Sequence, residues 1–594
     1  MKELVLSPDQ ERAVLSDATA IVVVAGAGGG KTEVVAHRIE RLLLDSEDDA
    51  YRVVAVSYTV KASDELRARL ADRLGDLHRR VDTDTIHGFA LSLLRQHGTR
   101  IGLPVEPEIL SRNEDRAELL GSWLTQSGRS VPEDPSLMLA QFDLARARCQ
   151  DVPLLADWRE ALRLNGAVDY AAMLERAVEL VEGAWMSQHL KRIYQHVVVD
   201  EAQNLTPAQY RFLTLVIGDP SAEHLHAVLV GDERQSIVDF AGADRTLIAR
   251  FADEYGAERI ELNTNYRSAR TIIDVGRVVA DALGQPTSGS ESVEFPAEGS
   301  VALQECSTEE AEGKFVSDWI AALLSDGLDV AVVAPGEATT VQLEQIAVLA
   351  RSAASLRSVR DALTVRNIES ASSSTEDDWV ASSAAKAVIE MIEYRSAPDH
   401  IASRRRLAKL AGKAGADWEE LESLLQSSTD PSVVALARLT DAKDAEALLE
   451  ATEDLEIDDP DWPDDLGQLN LAWRSFVDRT DTVERTFGNF RQHIARCQRG
   501  DSLDPGVRLL TVHKAQGREF KAVAVIGCNE GQFPDFRAKT SAEKAAELRT
   551  LYVAISRPAR ALLLTRAKQR QTRFGLRVTD PSSFLAIVAK AISR

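Results

Sequence analysis

Short aliphatic runs rich in valine and isoleucine alternate along this chain with longer stretches in which apolar residues recur every three or four positions. That alternation predicts strands followed by helices, the pattern of a parallel α/β sheet. The expected strands are Ile21–Ala25 (IVVVA), Arg52–Ser57 (RVVAVS), His196–Val199 (HVVV) and the run from Leu229. More strands are expected at Val301–Leu303, Asp329–Ala334 (DVAVVA), Val507–Val512 and Ala522–Gly527. A helix should open at Leu6–Gln10, with Ser7 as N-cap and Pro8 in the first turn. Others should start after Thr59 and at Thr85. Two stretches, residues 100–165 and 385–499, carry helical patterns with few strand signals. Each interrupts an α/β section and is expected as an insertion. Acidic and serine-rich segments at 369–378 and 458–465 read as surface loops.

The first strand breaks into Ala25–Thr32, AGAGGGKT, a phosphate-binding loop. Backbone N–H groups of Ala27, Gly28, Gly29 and Gly30 can turn onto phosphate oxygens because no bulky side chain blocks them. The following helix offers its positive end to the same anion. Lys31 reaches the outer phosphates, and the Thr32 hydroxyl can hold Mg²⁺. The strand in HVVVDEAQN ends on two carboxylates. Asp200 suits the metal shell, and Glu201 suits orienting or deprotonating an attacking water. LVGDERQSI supplies Gln235, an amide able to sense a γ-phosphate. NTNYRS brings Tyr266 and Arg267, and ELRTLYVAISR ends on Arg557, placed to act as an arginine finger. Gln10 precedes the loop strand; it reads either as a partner for an adenine edge or as a solvated helix residue.

Composition adds limits. A length of 594 residues suggests three or four domains at roughly 100–200 residues each. There is no signal-peptide pattern and no apolar run long enough to span a membrane, so a cytoplasmic protein is expected. Cys149, Cys306, Cys497 and Cys528 are scattered, which argues against zinc, iron–sulfur clusters and disulfides. The net charge of −24 opposes long-range attraction to nucleic acid, yet a local basic groove can still bind phosphates. Tyr58, Thr59 and His87 stand at strand ends, where hydroxyls can meet phosphates and rings can meet bases.

Taken in order, Gln10, AGAGGGKT, Ser57-Tyr58-Thr59, TIHGF, VDEAQN, GDERQSI, NYRS, TVHKAQGREF with the trailing EGQFP, and LYVAISR resemble the UvrD/Rep-like branch of superfamily 1 DNA helicases. The resemblance spans nearly the whole chain. It implies two RecA-like parallel-sheet domains, residues 1–99 with 166–258 and residues 259–384 with 500–594. Each would carry a helical accessory insertion, at 100–165 and 385–499. It implies ATP and Mg²⁺ in the cleft between them and 3′→5′ movement along single-stranded DNA. By matched position, Gln10 and Tyr266 would hold adenine and Glu519 the ribose. Gln235, Arg267 and Arg557 would read the γ-phosphate. Tyr58, Thr59, His87, Phe240 and His513 would contact DNA. The expected partner is single-stranded or tailed duplex DNA, in repair, recombination or anti-phage defence. The alternative is an ATP-switched, DNA-sensing subunit that regulates a partner nuclease and unwinds little alone. With 37 residues after Arg557 and no nuclease motif among them, a fused nuclease is not expected. Departures from the family pattern are Glu33 after the loop threonine, Asn204, Gln516, and Val238 and Ala241 where a ring and a cation are usual. Val238→Tyr is therefore expected to tighten the grip on DNA.

Overall fold

The computed structural model describes residues 6–372 except 47, 49, 106, 111, 222–224, 285–297 and 335, a scatter of positions between 388 and 490, and residues 506–592 except 573 and 574. The chain divides into two compact units, Met1–Ile368 with Thr511–Arg594, and Glu369–Leu510.

The first unit holds two large sheets and one short strand pair. Six strands form the first: β1 (Ala20–Ala25), β2 (Val53–Ser57), β3 (Val81–Thr85), β4 (His196–Val199), β5 (His226–Gly231) and β6 (Glu258–Leu262). Their order is β3-β2-β4-β5-β1-β6, and every pairing is parallel. The unbroken aliphatic runs follow from this arrangement, because both faces are covered. Ile21, Val23 and Ala25 pack on helices α1 (Pro8–Leu15) and α2 (Lys31–Asp45), with Val34, Val35 and Ile39. Ala20 and Val22 belong to the core on the opposite face, with Phe89, Leu93 and Phe212. Helices start where hydroxyls cap them. Ser7 and Gln10 form a reciprocal capping box on α1. Thr59 caps α3 (Val60–Leu74), and Thr85 caps α4 (Ile86–His97).

Between β3 and β4 the chain leaves for a helical module: α5 (Asn113–Gln126), α6 (Pro135–Ala147) and α7 (Leu155–Leu164). A short parallel pair, Glu108–Ile109 against Ala167–Val168, joins its two ends. Beneath it Asp169 is buried, accepting from Arg146, from the Trp158 indole at 3.0 Å and from the Ala172 N–H at 2.7 Å. The last bond also caps α8 (Tyr170–Glu182).

In the second sheet β8 (Ile346–Ala350), β9 (Phe520–Val525) and β10 (Pro558–Thr572) run parallel. β7 (Ser300–Thr308) adds in parallel to the other edge of β10, and β11 (Gly575–Val578) folds back antiparallel on its end. The strand expected at Asp329–Ala334 is instead a turn. The Asp329 carboxylate accepts the Ala331 N–H at 2.9 Å and its carbonyl accepts the Val332 N–H at 2.9 Å, a local closure that competes with a ladder. The core strand of this region is β8, IAVLA, buried at every position. Among the described residues, no helix is long and apolar enough to cross a membrane.

The second unit contains a short parallel pairing, Ser370 to Ser372 with Val507 to Leu509, and a cluster of Trp473, Phe476 and Phe490 with ring centroids 4.8–5.5 Å apart. Most of the helical stretch expected at 385–499 lies outside the described residues.

Candidate active site

The loop after β1 wraps on itself. Gly28 and Gly30 have φ of 74° and 76°, a region that favours glycine. A Cβ on Gly28 would lie 2.5 Å from the Asn265 amide oxygen, and one on Gly30 would lie 2.6 Å from the Gln10 amide nitrogen. Neighbouring segments are thus pressed onto the loop. Asn265 Nδ2 donates to the Ala27 carbonyl at 2.9 Å, and the Tyr266 N–H donates to the Gly28 carbonyl at 2.9 Å. Gln10 Nε2 donates to the Gly29 carbonyl at 3.3 Å, and Gln10 Oε1 accepts from the Tyr266 hydroxyl at 3.2 Å. Gln10 is buried, so the reading as a solvated helix residue is corrected. Its amide clamps the cap of α1, the loop and Tyr266 together.

These residues border a cleft of about 370 Å³. Gly26 to Glu33, Asp200, Glu201 and Gln235 line it from the first sheet's side, and Tyr266, Arg267, Glu519 and Arg557 complete it. Every sequence-predicted nucleotide residue except Gln10 is on this wall, and Gln10 stands behind it on Gly29.

Charges inside the cleft are unevenly exposed. Asp200 is buried, and burial, then the neighbouring Glu201, push its carboxyl up to about 7. Lys31 opposes that rise, so a cation in the cleft favours the carboxylate. Glu201 has φ of 53°, which breaks the strand at the carboxylate pair. From Glu201 a hydrogen-bonded chain crosses the cleft. Gln203 Nε2 donates to the Glu201 carboxylate, and Gln203 Oε1 accepts the Asp232 N–H at 3.1 Å. Asp232 Oδ2 accepts Gln235 Nε2 at 2.8 Å, and Gln235 Oε1 accepts Arg557 Nη2 at 2.8 Å. Arg557 is buried, and burial, then Arg267, pull its guanidinium down to about 10. It also donates to the Val553 carbonyl at 3.0 Å and the Ser556 hydroxyl at 2.9 Å. Arg267 donates to the Glu519 carboxylate, so these two side chains meet each other at the cleft wall.

Gln203 was not singled out in the sequence, where its only signal is an amide two residues beyond a candidate base; its burial comes from the fold. Gln516, noted only as a departure, donates to the Gln235 carbonyl at 3.1 Å and to Asn204 Oδ1 at 3.4 Å. Glu33 turns to α3, pairing with Arg69 at 3.0 Å and Arg73 at 2.8 Å.

The residues expected to touch DNA are less uniform. Phe240 is 70% exposed, its ring edge-on to His513 at 5.5 Å. Tyr58 is half-buried at the end of β2, and burial raises its phenol. His87 is half-buried, packs edge-on to Tyr170 at 5.9 Å, and burial lowers its imidazole to about 4, so it is neutral near pH 7. Burial, then Arg351, also lowers His513. Thr59 lines the nucleotide cleft, and its hydroxyl accepts the Ala62 N–H at 3.2 Å. Val238 is only 9% exposed. A ring at that position would enter the packed interior, which corrects the expectation that Val238→Tyr adds a stacking surface.

The chain matches known proteins over most of its length. Residues 6–135 and 145–256 match the UvrD/REP helicase N-terminal domain, and residues 468–569 match the UvrD-like helicase C-terminal domain. The chain is 27% identical to DNA helicase II of Escherichia coli, over 98% of this chain and 87% of that protein. It is 24% identical to the ATP-dependent DNA helicase PcrA of Bacillus subtilis, over 97% and 85%.

Proposed function

The chain belongs to the UvrD/REP helicase family and is an ATP-dependent DNA helicase, a hydrolase, and from that premise we propose that it moves 3′→5′ on single-stranded DNA. The observation that carries this reading is the shared cleft. Phosphate-loop and carboxylate residues lie on one wall, and Arg267 and Arg557 stand on the other. A motor requires that division, because hydrolysis completes only when the walls approach and their separation resets the grip.

In this reading Lys31 and the loop N–H groups bind the ATP phosphates, and Tyr266 packs on the adenine. Thr32 and Asp200 would hold Mg²⁺, which supplies charge neutralisation at the outer phosphates. The buried Asp200, high in pKa and opposed by Lys31, fits a cation partner. Glu201 takes the proton of the attacking water. Gln235 and Arg557, already bonded to each other, meet the developing negative charge, an effect typically contributing about 10³–10⁵ in rate for an arginine finger. The motor domains are proposed as residues 1–99 with 166–258 and 259–384 with 500–594, and the protein as cytoplasmic.

A second reading, an ATP switch acting through a protein partner, is favoured by the thin base-stacking set, in which Phe240 is exposed but Val238 is buried. Two assays decide. ATP turnover with and without single-stranded DNA should differ strongly for a motor, and equal rates would remove that reading. Strand displacement on 3′- and 5′-tailed duplexes should require the 3′ tail. ATP-dependent DNA binding without displacement would favour the switch.

A further inference from the structure

The segment from Gln235 to Phe240 is held from the opposite side of the cleft at successive points. Arg557 bonds the Gln235 side chain and Gln516 bonds its carbonyl. Arg549, on the helix Ser541–Ile555, donates through Nε to the Ser236 carbonyl at 3.0 Å and through Nη2 to Asp239 Oδ2 at 2.5 Å. Asp239 begins the single turn Asp239–Ala241 that presents Phe240, whose ring meets His513. Arg549 is 3% exposed, whereas the Asp239 side chain is 41% exposed.

We propose that Arg549 is a positioning residue: by gripping Ser236 and Asp239 it ties the turn carrying Phe240 to the helix that leads into Arg557, so that the exposed ring moves with the cleft wall. Arg549 touches neither the nucleotide cleft nor Phe240 itself. Its contribution is geometric. Arg557 follows two residues beyond the end of that helix and donates back to the Val553 carbonyl in its last turn at 3.0 Å, so closure of the arginine onto nucleotide and displacement of the ring share one helix. Without the Arg549–Asp239 bond, what holds the turn is its internal bonds, Ala241 N–H to the Val238 carbonyl at 2.9 Å and Gly242 N–H to the Asp239 carbonyl at 3.1 Å, a long bond from the Ser236 hydroxyl to Asp239 at 3.4 Å and the edge contact of Phe240 with His513. It could then drift while the cleft closes normally. The proposal rests on the reading of Phe240 as a DNA contact.

The test uses the full chain with Asp239→Ala, which removes the bond from its exposed side, and Arg549→Lys, which keeps one charged donor. Turnover of ATP without DNA and its KM should stay within about twofold for Asp239→Ala. The single-stranded DNA concentration for half-maximal stimulation should rise roughly tenfold, the order of one charge-assisted hydrogen bond. Arg549→Lys should fall between it and wild type. Hydrogen exchange of a peptide covering 235–242 supplies a readout free of DNA. A non-hydrolysable ATP analogue should protect that peptide in the wild type and much less in Asp239→Ala. Normal stimulation in both variants, or an analogue that leaves the wild-type peptide unprotected, would overturn the proposal. If the wild type shows the protection and Asp239→Ala loses it, yet DNA stimulates neither, the grip stands and the DNA reading of Phe240 falls.

Discussion

Gln203→Leu isolates the link between the carboxylate Glu201 and the rest of the cleft. The Gln203 side chain is fully buried and does not line the cleft. It donates to Glu201 and accepts the N–H of Asp232, whose backbone is buried with it. Leucine fills a similar volume and makes neither bond. Glu201 is partly exposed and can recover water, but the Asp232 N–H is left without its acceptor, a loss of about 1–3 kcal/mol. The melting temperature should fall by a few degrees, given about 2–4 °C per kcal/mol for domains of a few hundred residues. For the chemistry, a hydrogen bond to a charged group is worth about 1.5–3 kcal/mol. Lost from the orientation of the base, that is about 10- to 100-fold in kcat. KM for ATP should hardly change. Gly231→Ala offers an independent route to the same atoms, because its Cβ would lie 2.6 Å from Gln203 Oε1 and push the amide aside. It should lower kcat in the same sense. Steady-state hydrolysis with thermal melts measures both quantities. A kcat within twofold of wild type in both variants would show that Glu201 is aimed by something other than Gln203.

Glu201→Gln should retain nucleotide affinity and lose turnover; normal hydrolysis in that variant would move the base elsewhere. Arg557→Ala should lower kcat far more than it weakens ATP binding, and an effect confined to KM would assign the arginine to ground-state binding. His196 is buried, and burial, then His226, push its imidazole down to about 3. The folded state therefore binds fewer protons than the unfolded chain below pH 6.5. Stability should be full above that pH and fall by about 1.4 kcal/mol per unit as pH drops towards 3. His196→Phe should flatten that slope in melts between pH 7.5 and 5, and an unchanged slope would place the acid sensitivity on other groups. Val238→Tyr should destabilise by about 1–3 kcal/mol through overpacking, while Phe240→Ala should weaken single-strand binding by about 1–3 kcal/mol; tighter DNA binding by Val238→Tyr with an unchanged melt would refute the burial argument.

What the sequence made legible was whatever is written in contiguous residues. The run IVVVAGAGGGKT carries its own strand, turn and helix start, and the carboxylate pair ends an unbroken aliphatic strand. Asp329–Ala334 has the same aliphatic look, but one aspartate closes a turn on its own backbone, and side-chain composition does not register that choice. Gln10 was readable as a helix residue near the loop, yet its burial depends on Gly29 and Tyr266, the latter 256 residues away in sequence. The chain Gln203–Asp232–Gln235–Arg557 is divided in this respect: Gln235 and Arg557 stand in readable motifs, but Gln203 and Asp232 are ordinary polar side chains until the fold brings them together. Val238 misled because the family pattern says which residue type is usual at a position and not how deeply this chain buries it; Val238 is 9% exposed.

The position of β1 in the first sheet has a consequence for biosynthesis. Its neighbours are β5 and β6, so the strand bearing the phosphate loop pairs with residues 226–262 and not with β2. On a ribosome adding about 5–20 residues per second, the loop would wait roughly 10–40 s for its first partner strand. During that interval Ile21, Val22 and Val23 have no ladder to join, while β2 can pair with β3 and, once residues 196–199 are made, with β4. Nucleotide binding is therefore a late acquisition of the growing chain: the phosphate loop is among its first-made parts and among the last to be set in a sheet.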